Sequence, residues 1–170
     1  MPTLQLEHNE IQNTQRQFPI AVICDNITSA ENVGMVFRIS EAMGVEHIYL
    51  CGETLGPDHK KVQKTSRSTE KYVKYSSYVS TLETVTKLKE LGYTIAALEL
   101  TNNSLVLHKA PLSQYNKIAL IIGNEQHGVD AQVLEAVDLS LAIEMYGKNT
   151  SINVVNSLSI ALYELTRQLS

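Results

Sequence analysis

Short apolar runs separated by helix-forming stretches constrain this chain more than any other feature. Phe18-Pro-Ile-Ala-Val-Ile-Cys-Asp25, His47-Ile-Tyr-Leu-Cys51, Tyr93-Thr-Ile-Ala-Ala-Leu-Glu-Leu100, Lys117 to Ile122 and Leu139 to Glu144 each have the length and composition of a buried strand. Between them lie helical signals. Thr28-Ser-Ala-Glu31 and Ser80-Thr-Leu-Glu83 have the capping-box form, a hydroxyl three residues before a glutamate. The first predicts a helix to about Met43, with Val33, Val36, Phe37 and Met43 on its inner face and Gly44 just past its end. The second predicts a helix that buries Leu82, Val85, Leu88 and Leu91 and ends at Gly92. Asp130 is a natural N-cap for a short helix to Val137, and Val155, Leu158, Leu162 and Leu165 give the last helix its apolar stripe. Strands alternating with helices predict an α/β fold, a mostly parallel sheet flanked by helices.

With 170 residues and neither an internal repeat nor a linker-like tract, the chain reads as one domain over 1–170. Residues 1–17 are polar and without periodicity, an N-terminal arm or a short weak helix. Cys24 and Cys51 both fall in apolar runs and are expected to be buried free thiols. No signal-peptide pattern and no bilayer-length apolar run is present, so no membrane partner is expected and a cytoplasmic setting fits. The histidines show no ligand spacing, so no metal is expected.

A net charge of −4 argues against broad, nonspecific nucleic-acid binding but leaves room for a local basic patch. The dense cluster is His59-Lys-Lys-Val-Gln-Lys-Thr-Ser-Arg67, continuing to Lys71 and Lys74, inside a mixed region from 52 to 77. On charge alone it fits a solvated surface segment equally well.

Ligands of open α/β sheets bind beyond the carboxyl ends of the strands. Two glycine-bearing loops follow the last two strands, Gly123-Asn-Glu-Gln-His-Gly128 and Gly147-Lys-Asn-Thr-Ser-Ile-Asn153. The first has the glycine spacing of a P-loop but no following Lys-Ser/Thr, and Glu125 would repel a phosphate. No G-x-G-x-x-G follows the first strand, and there is no G-x-S-x-G elbow. Near the first strand, Asn32 precedes a helix that carries Gly34 and, four residues on, Arg38 on the same face. A glycine inside a helix costs about 1 kcal/mol against alanine and usually reflects close packing. Asn32, Arg38, Glu125, Ser151 and Asn153 thus form a polar set short of nucleophile–base pairs. It suits binding a polar cofactor and aligning reactants, and group transfer is one such reaction. Helix capping by Ser151 and Asn153 is an alternative reading of those two.

Three motifs resemble the SpoU (TrmH-type) RNA ribose methyltransferases of the SPOUT superfamily. They are Asn32-Val-Gly-Met-Val-Phe-Arg38 with Glu41-Ala-Met-Gly44, Ile121-Ile-Gly-Asn-Glu-Gln-His-Gly128, and Ile143-Glu-Met-Tyr-Gly-Lys-Asn-Thr-Ser-Ile-Asn-Val154. Lys61-Val-Gln-Lys-Thr-Ser66 resembles a fourth family segment. The resemblance implies a C-terminal deep trefoil knot, S-adenosylmethionine as methyl donor, a homodimer, and a ribose 2′-hydroxyl of tRNA or rRNA as acceptor. It assigns catalytic roles to Arg38, Asn32, Glu125, Ser151 and Asn153. It puts the cofactor near Leu98, Leu100, Gly123, Ile143 and Ile152, and RNA near Lys61, Lys64 and Arg67. A nonenzymatic RNA- or partner-binding protein and a base-methylating enzyme are the alternatives. The chain departs from the family pattern at Ile39-Ser40, Glu144, Ile152, Val155 and Arg67-Ser-Thr69. With so short a stretch before the first strand, no separate RNA-binding domain is expected there.

Overall fold

The computed structural model describes residues 3–7 and 10–170. The expectation of an N-terminal arm falls outside the described residues at positions 1, 2, 8 and 9, and residues 3–7 and 11–17 form no helix or strand.

A seven-stranded, all-parallel sheet forms the frame: β1 (Phe18–Asp25), β2 (Val45–Cys51), β3 (Lys74–Tyr78), β4 (Thr94–Leu98), β5 (Leu105–Val106), β6 (Ile118–Ile122) and β7 (Leu139–Ala142). Their order across the sheet is β3-β2-β1-β6-β4-β7-β5. The α-helices are α1 (Ala30–Ala42), α2 (Lys60–Ser66), α3 (Thr81–Glu90), α4 (Ala131–Ala136) and α5 (Val154–Leu169). β1 and β6 are central because almost every residue in them is apolar, so burial on both faces removes the most surface from water. Side-chain alternation then divides the core. Ile20, Val22 and Cys24 join Ile118, Leu120 and Ile122 under α1, α2 and α5, whereas Ala21, Ile23, Ala119 and Ile121 pack under α3 and α4.

The sequence pattern predicts five strands, and two more form. β3 (KYSSY) lies at the sheet edge, where one face and one rim meet solvent, so it lacks the apolar run that marks the inner strands. β5 is two residues long, too short for any periodicity. The mixed region also yields α2, whose buried residues are only Val62 and Ser66. Gly44 and Gly92 stand just beyond their helices at φ +65° and +83°, as expected of C-terminal glycines.

Two expectations are corrected. The cap of α1 is Ser29, not Thr28; Ser29 Oγ accepts from the Asn32 N–H at 3.3 Å, while Thr28 donates to Glu125. The inner face of α3 is Thr81, Thr84, Val85 and Leu88, and Leu82 and Leu91 are exposed. The helix is turned because Thr81 Oγ1 donates to the buried Asp25 carboxylate, fixing its first turn against β1. Asp25 also accepts from Asp130 N at 2.9 Å, so one acid at the end of β1 anchors the starts of both α3 and α4. Cys24 and Cys51 are buried and free, as expected.

Gly34 has the packing reason its position suggests. A Cβ there would lie 2.6 Å from Thr65 Cβ and 2.9 Å from both Ser66 N and Val62 O, so the backbone of α2 rests directly on α1. Gly34→Ala is expected to lower the free energy of unfolding by about 1–3 kcal/mol, since two of the three obstructing atoms are main chain. Urea denaturation measures this, and a neutral effect would show that α2 can move off α1 freely.

Candidate active site

The carboxyl ends of β4, β6 and β7 open onto a cavity of about 570 Å³. Its walls include Leu98 and Leu100 after β4, Gly123, Asn124 and Glu125 after β6, and Ile143, Ser151, Ile152 and Asn153 after β7. The five residues expected near the cofactor all line this one space, together with Ser151, Asn153 and Glu125. Asn32 and Arg38 are not part of its lining.

The loop after β6 is built by its own backbone. Asn124 and Gly128 exchange N–H···O bonds of 2.9 Å in both directions. Asn124 Oδ1 accepts from the N–H groups of Gln126 and His127, and its Nδ2 donates to Asn26 O at 2.7 Å. A Cβ on Gly123 would lie 2.2 Å from Gly128 C and Val129 N, so the need for glycine there comes from the loop folding onto itself.

That fold projects Glu125 toward the start of α1. One carboxylate oxygen accepts from Thr28 N and Thr28 Oγ1, each at 3.3 Å; the other accepts from Ser29 N at 3.2 Å and Asn32 Nδ2 at 2.8 Å. Asn32 Oδ1 in turn accepts from Asn153 Nδ2 at 3.2 Å. Asn153 is the N-cap of α5, its Oδ1 accepting from Val155 N at 2.9 Å and Asn156 N at 3.4 Å. A single hydrogen-bonded chain therefore joins the loop after β6, the first turn of α1 and the first turn of α5. The capping and site readings of Asn153 are compatible, because each end of its amide serves one of them. Ser151 lies outside the chain, two residues ahead of the cap and exposed on the cavity wall.

Arg38 is half-buried on α1, and its nearest polar contact is Met35 Sδ at 3.7 Å from Nη1. Among the described residues no carboxylate lies within 4 Å of it. Its charge is thus available to an anion from outside. Lys61, Lys64 and Arg67 are exposed on α2 and its C-cap, and Lys61 Nζ lies 3.6 Å from Glu31. Sequence reasoning missed Thr28, Asn124 and Asp25 as supporting residues. Their types suit turns and caps anywhere, and only the folded loop shows what they hold. Among the described residues no cluster of side chains could bind a metal, and no helix is long and apolar enough to cross a membrane.

Burial pushes the Glu125 carboxyl up, but the Asn32 amide and the N–H groups of Ser29 and Thr28 outweigh it and hold it below the ordinary value of 4.5. The carboxylate's contribution to stability is complete above that ordinary value and fades as pH falls from there through the lowered folded-state value. Glu125→Gln keeps one acceptor oxygen and turns an NH₂ toward donors. It is expected to cost about 1 kcal/mol at neutral pH, a figure reduced for solvent exposure. Thermal melts across pH should show the gap to wild type closing on acidification, and a gap unchanged at about pH 3 would contradict the assignment.

These features define a parallel α/β protein with a ligand cavity at the carboxyl ends of its strands. A sequence model of the SpoU rRNA Methylase family matches residues 19–163, and the chain belongs to that family. It is 28% identical over 155 residues to the tRNA (guanosine(18)-2′-O)-methyltransferase of Aquifex aeolicus, covering 91% of this chain and 72% of that protein. The solved A. aeolicus TrmH/SpoU tRNA modifying enzyme superposes with a TM-score of 0.80 at 27% identity, covering 91% of this chain and 77% of that one. An AdoMet-bound rRNA methyltransferase from Sinorhizobium meliloti shares the fold, with a TM-score of 0.83 at 21% identity over 92% of this chain and 59% of that one. The chain spans between 40% and 72% of the length of such curated relatives.

Proposed function

We propose that the protein is an S-adenosylmethionine-dependent RNA methyltransferase that modifies a ribose 2′-hydroxyl of tRNA or rRNA. The observation that carries this reading is the hydrogen-bonded chain Glu125–Asn32–Asn153, which ties the cavity to the helix bearing Arg38. Family membership and the A. aeolicus relative support the same chemistry.

The cavity suits the cofactor. Its size falls within the range of small-molecule sites, and it combines apolar walls from Leu98, Leu141, Ile143 and Ile152 with backbone-rich loops at Gly123 and Leu100. When bound, the cofactor supplies an activated methyl group on a sulfonium. The protein must then align a ribose hydroxyl and stabilise the alkoxide character it develops. Arg38 supplies the charge. Arginine stays cationic in proteins, so in this reading it clamps an RNA phosphate and stabilises the developing alkoxide while the proton leaves to water. Glu125 is a poor proton acceptor, with donors on both oxygens and a carboxyl held low. Its part is to fix Asn32, which with Asn153 orients α1 over the cavity. Ser151 contributes a hydroxyl at the cavity wall.

The reading includes the trefoil knot. In its support, β6 enters between β1 and β4, β7 enters between β4 and β5, and α5 returns so that Gln168 bonds Ala110, Leu112 and Ser113. It includes a homodimer, for which Met35 on α1 and Ile160 and Tyr163 on α5 offer exposed apolar area. Sedimentation should give twice the 18.9 kDa chain mass, and a monomer at micromolar concentration would count against the dimer. Two buried free thiols suit a reducing cytoplasm.

Calorimetric titration with S-adenosylmethionine should show binding. Arg38→Lys should leave that affinity within about twofold while cutting methyl transfer to RNA about 100-fold, because a point charge cannot replace the planar fork. Nuclease digestion of the product identifies the acceptor. Methyl on a base would overturn the ribose assignment, and no cofactor binding would point to a nonenzymatic protein.

A further inference from the structure

Charge in this chain is sharply segregated. Six of its 14 lysines and arginines and only one of its 18 acids fall in residues 60–74, so that segment carries +5 while the remainder carries −9. The single acid, Glu70, is engaged by Ser66 Oγ. Among the described residues only Lys61 of the six cations has a carboxylate within 4 Å. Self-repulsion among unpaired cations opposes the compact state.

Two tyrosines interrupt the cations. Tyr72 is 75% exposed between Lys71 and Lys74, and Tyr75 is 43% exposed on the edge strand β3. Tyr75 is not a loose ring: it stands edge-on to the buried Phe37 of α1, with centroids 5.4 Å apart and planes at 88°. Phe37 directly precedes Arg38. The segment meets α1 at two further points, the Lys61–Glu31 pair and the Gly34 contact with Thr65 and Ser66. α2 and Tyr75 are therefore fixed to the helix that bears the proposed reacting arginine.

The turn between α2 and the two tyrosines is held in an unfavourable backbone region. Arg67 and Ser68 both have left-handed geometry, with φ of +52° and +69°, which side-chain-bearing residues adopt at a cost. Thr69 Oγ1 donates to Ser66 O at 2.6 Å and Ser66 Oγ to Gln63 O at 3.0 Å, which closes the turn. Glycine would fit there without strain, yet a cation occupies the first position.

We infer that Tyr72 and Tyr75 are base-stacking residues for unpaired RNA nucleotides, with Arg67 and Lys71 holding the flanking phosphates. The inference rests on the RNA-modifying reading and adds to it a preference: exposed rings can engage only bases that have left a helical stack, so the substrate presents its nucleotide in a loop or single strand. Stacking supplies sequence-tolerant affinity, and the cations supply the salt-dependent part.

The test is fluorescence anisotropy with a labelled oligouridylate of about ten nucleotides and with an RNA duplex of similar length, over a range of salt. Tyr72→Ala should weaken binding to the single strand about tenfold at every salt concentration, with an unchanged melting temperature because the ring is exposed. Tyr72→Phe should retain the affinity. Lys71→Gln should reduce the slope of log affinity against log salt by about 0.7. Tyr75→Ala is read only alongside its melting curve, since it also removes the packing on Phe37. The inference is overturned if Tyr72→Ala binds like wild type, or if duplex binding falls equally. Wild type that binds neither RNA would remove the RNA-modifying reading as well. The cofactor titration judges the methyltransferase assignment separately.

Discussion

The Glu125 carboxylate is the interaction on which the rest of the site depends. It gathers donors from Thr28, Ser29 and Asn32, all at the start of α1, although it stands in a loop more than ninety residues away in the chain. Without it, the donors of that region would turn to water and Asn32 would lose the partner that sets its amide. The Asn32 amide, whose oxygen accepts from Asn153, would then be held from one end only, weakening the tie between the starts of α1 and α5. An ionised carboxylate is well matched to this role, because each oxygen accepts two bonds and the helix start it faces carries partial positive charge. The group is thus held ionised by the same contacts that make it structurally useful.

Below this network lies a second acid with a different job. Asp25, buried at the end of β1, receives the first turn of α3 through Thr81 and the N-terminus of α4 through Asp130 N. One carboxylate organises the helices on one face of the sheet, and the other organises the cavity side. Central strands that end in loops rather than in more strand make both possible, since the loops can bring main-chain donors to a common point.

Much of the fold is legible in the sequence because the inner strands are apolar throughout and the helices carry caps and terminal glycines. What escapes follows from local physics. β3 reads as polar because an edge strand need bury little, and α2 reads as a charged surface segment because two residues suffice to seat it. Leu82 and Leu91 mislead because the rotation of α3 is set by a hydroxyl on Thr81, which no hydrophobic pattern records. At the site, Asn32, Glu125 and Asn153 stand out as polar residues at strand–loop–helix junctions, and the structure joins them by hydrogen bonds. The loop-internal bonds of Asn124 and the switch of the α1 cap from Thr28 to Ser29 depend on contacts between distant segments, which spacing alone cannot express.

The strand order has a consequence for how the protein comes into being. β6 and β7 are made late but sit inside the sheet, β6 between β1 and β4 and β7 between β4 and β5. β4 pairs only with β6 and β7, and β5 only with β7, so both earlier strands join the sheet through strands made after them. Every wall of the cavity except the β4 end is carried by β6, β7 and the segments that follow them. The cavity therefore cannot take shape until β6, β7 and the loops after them are in place.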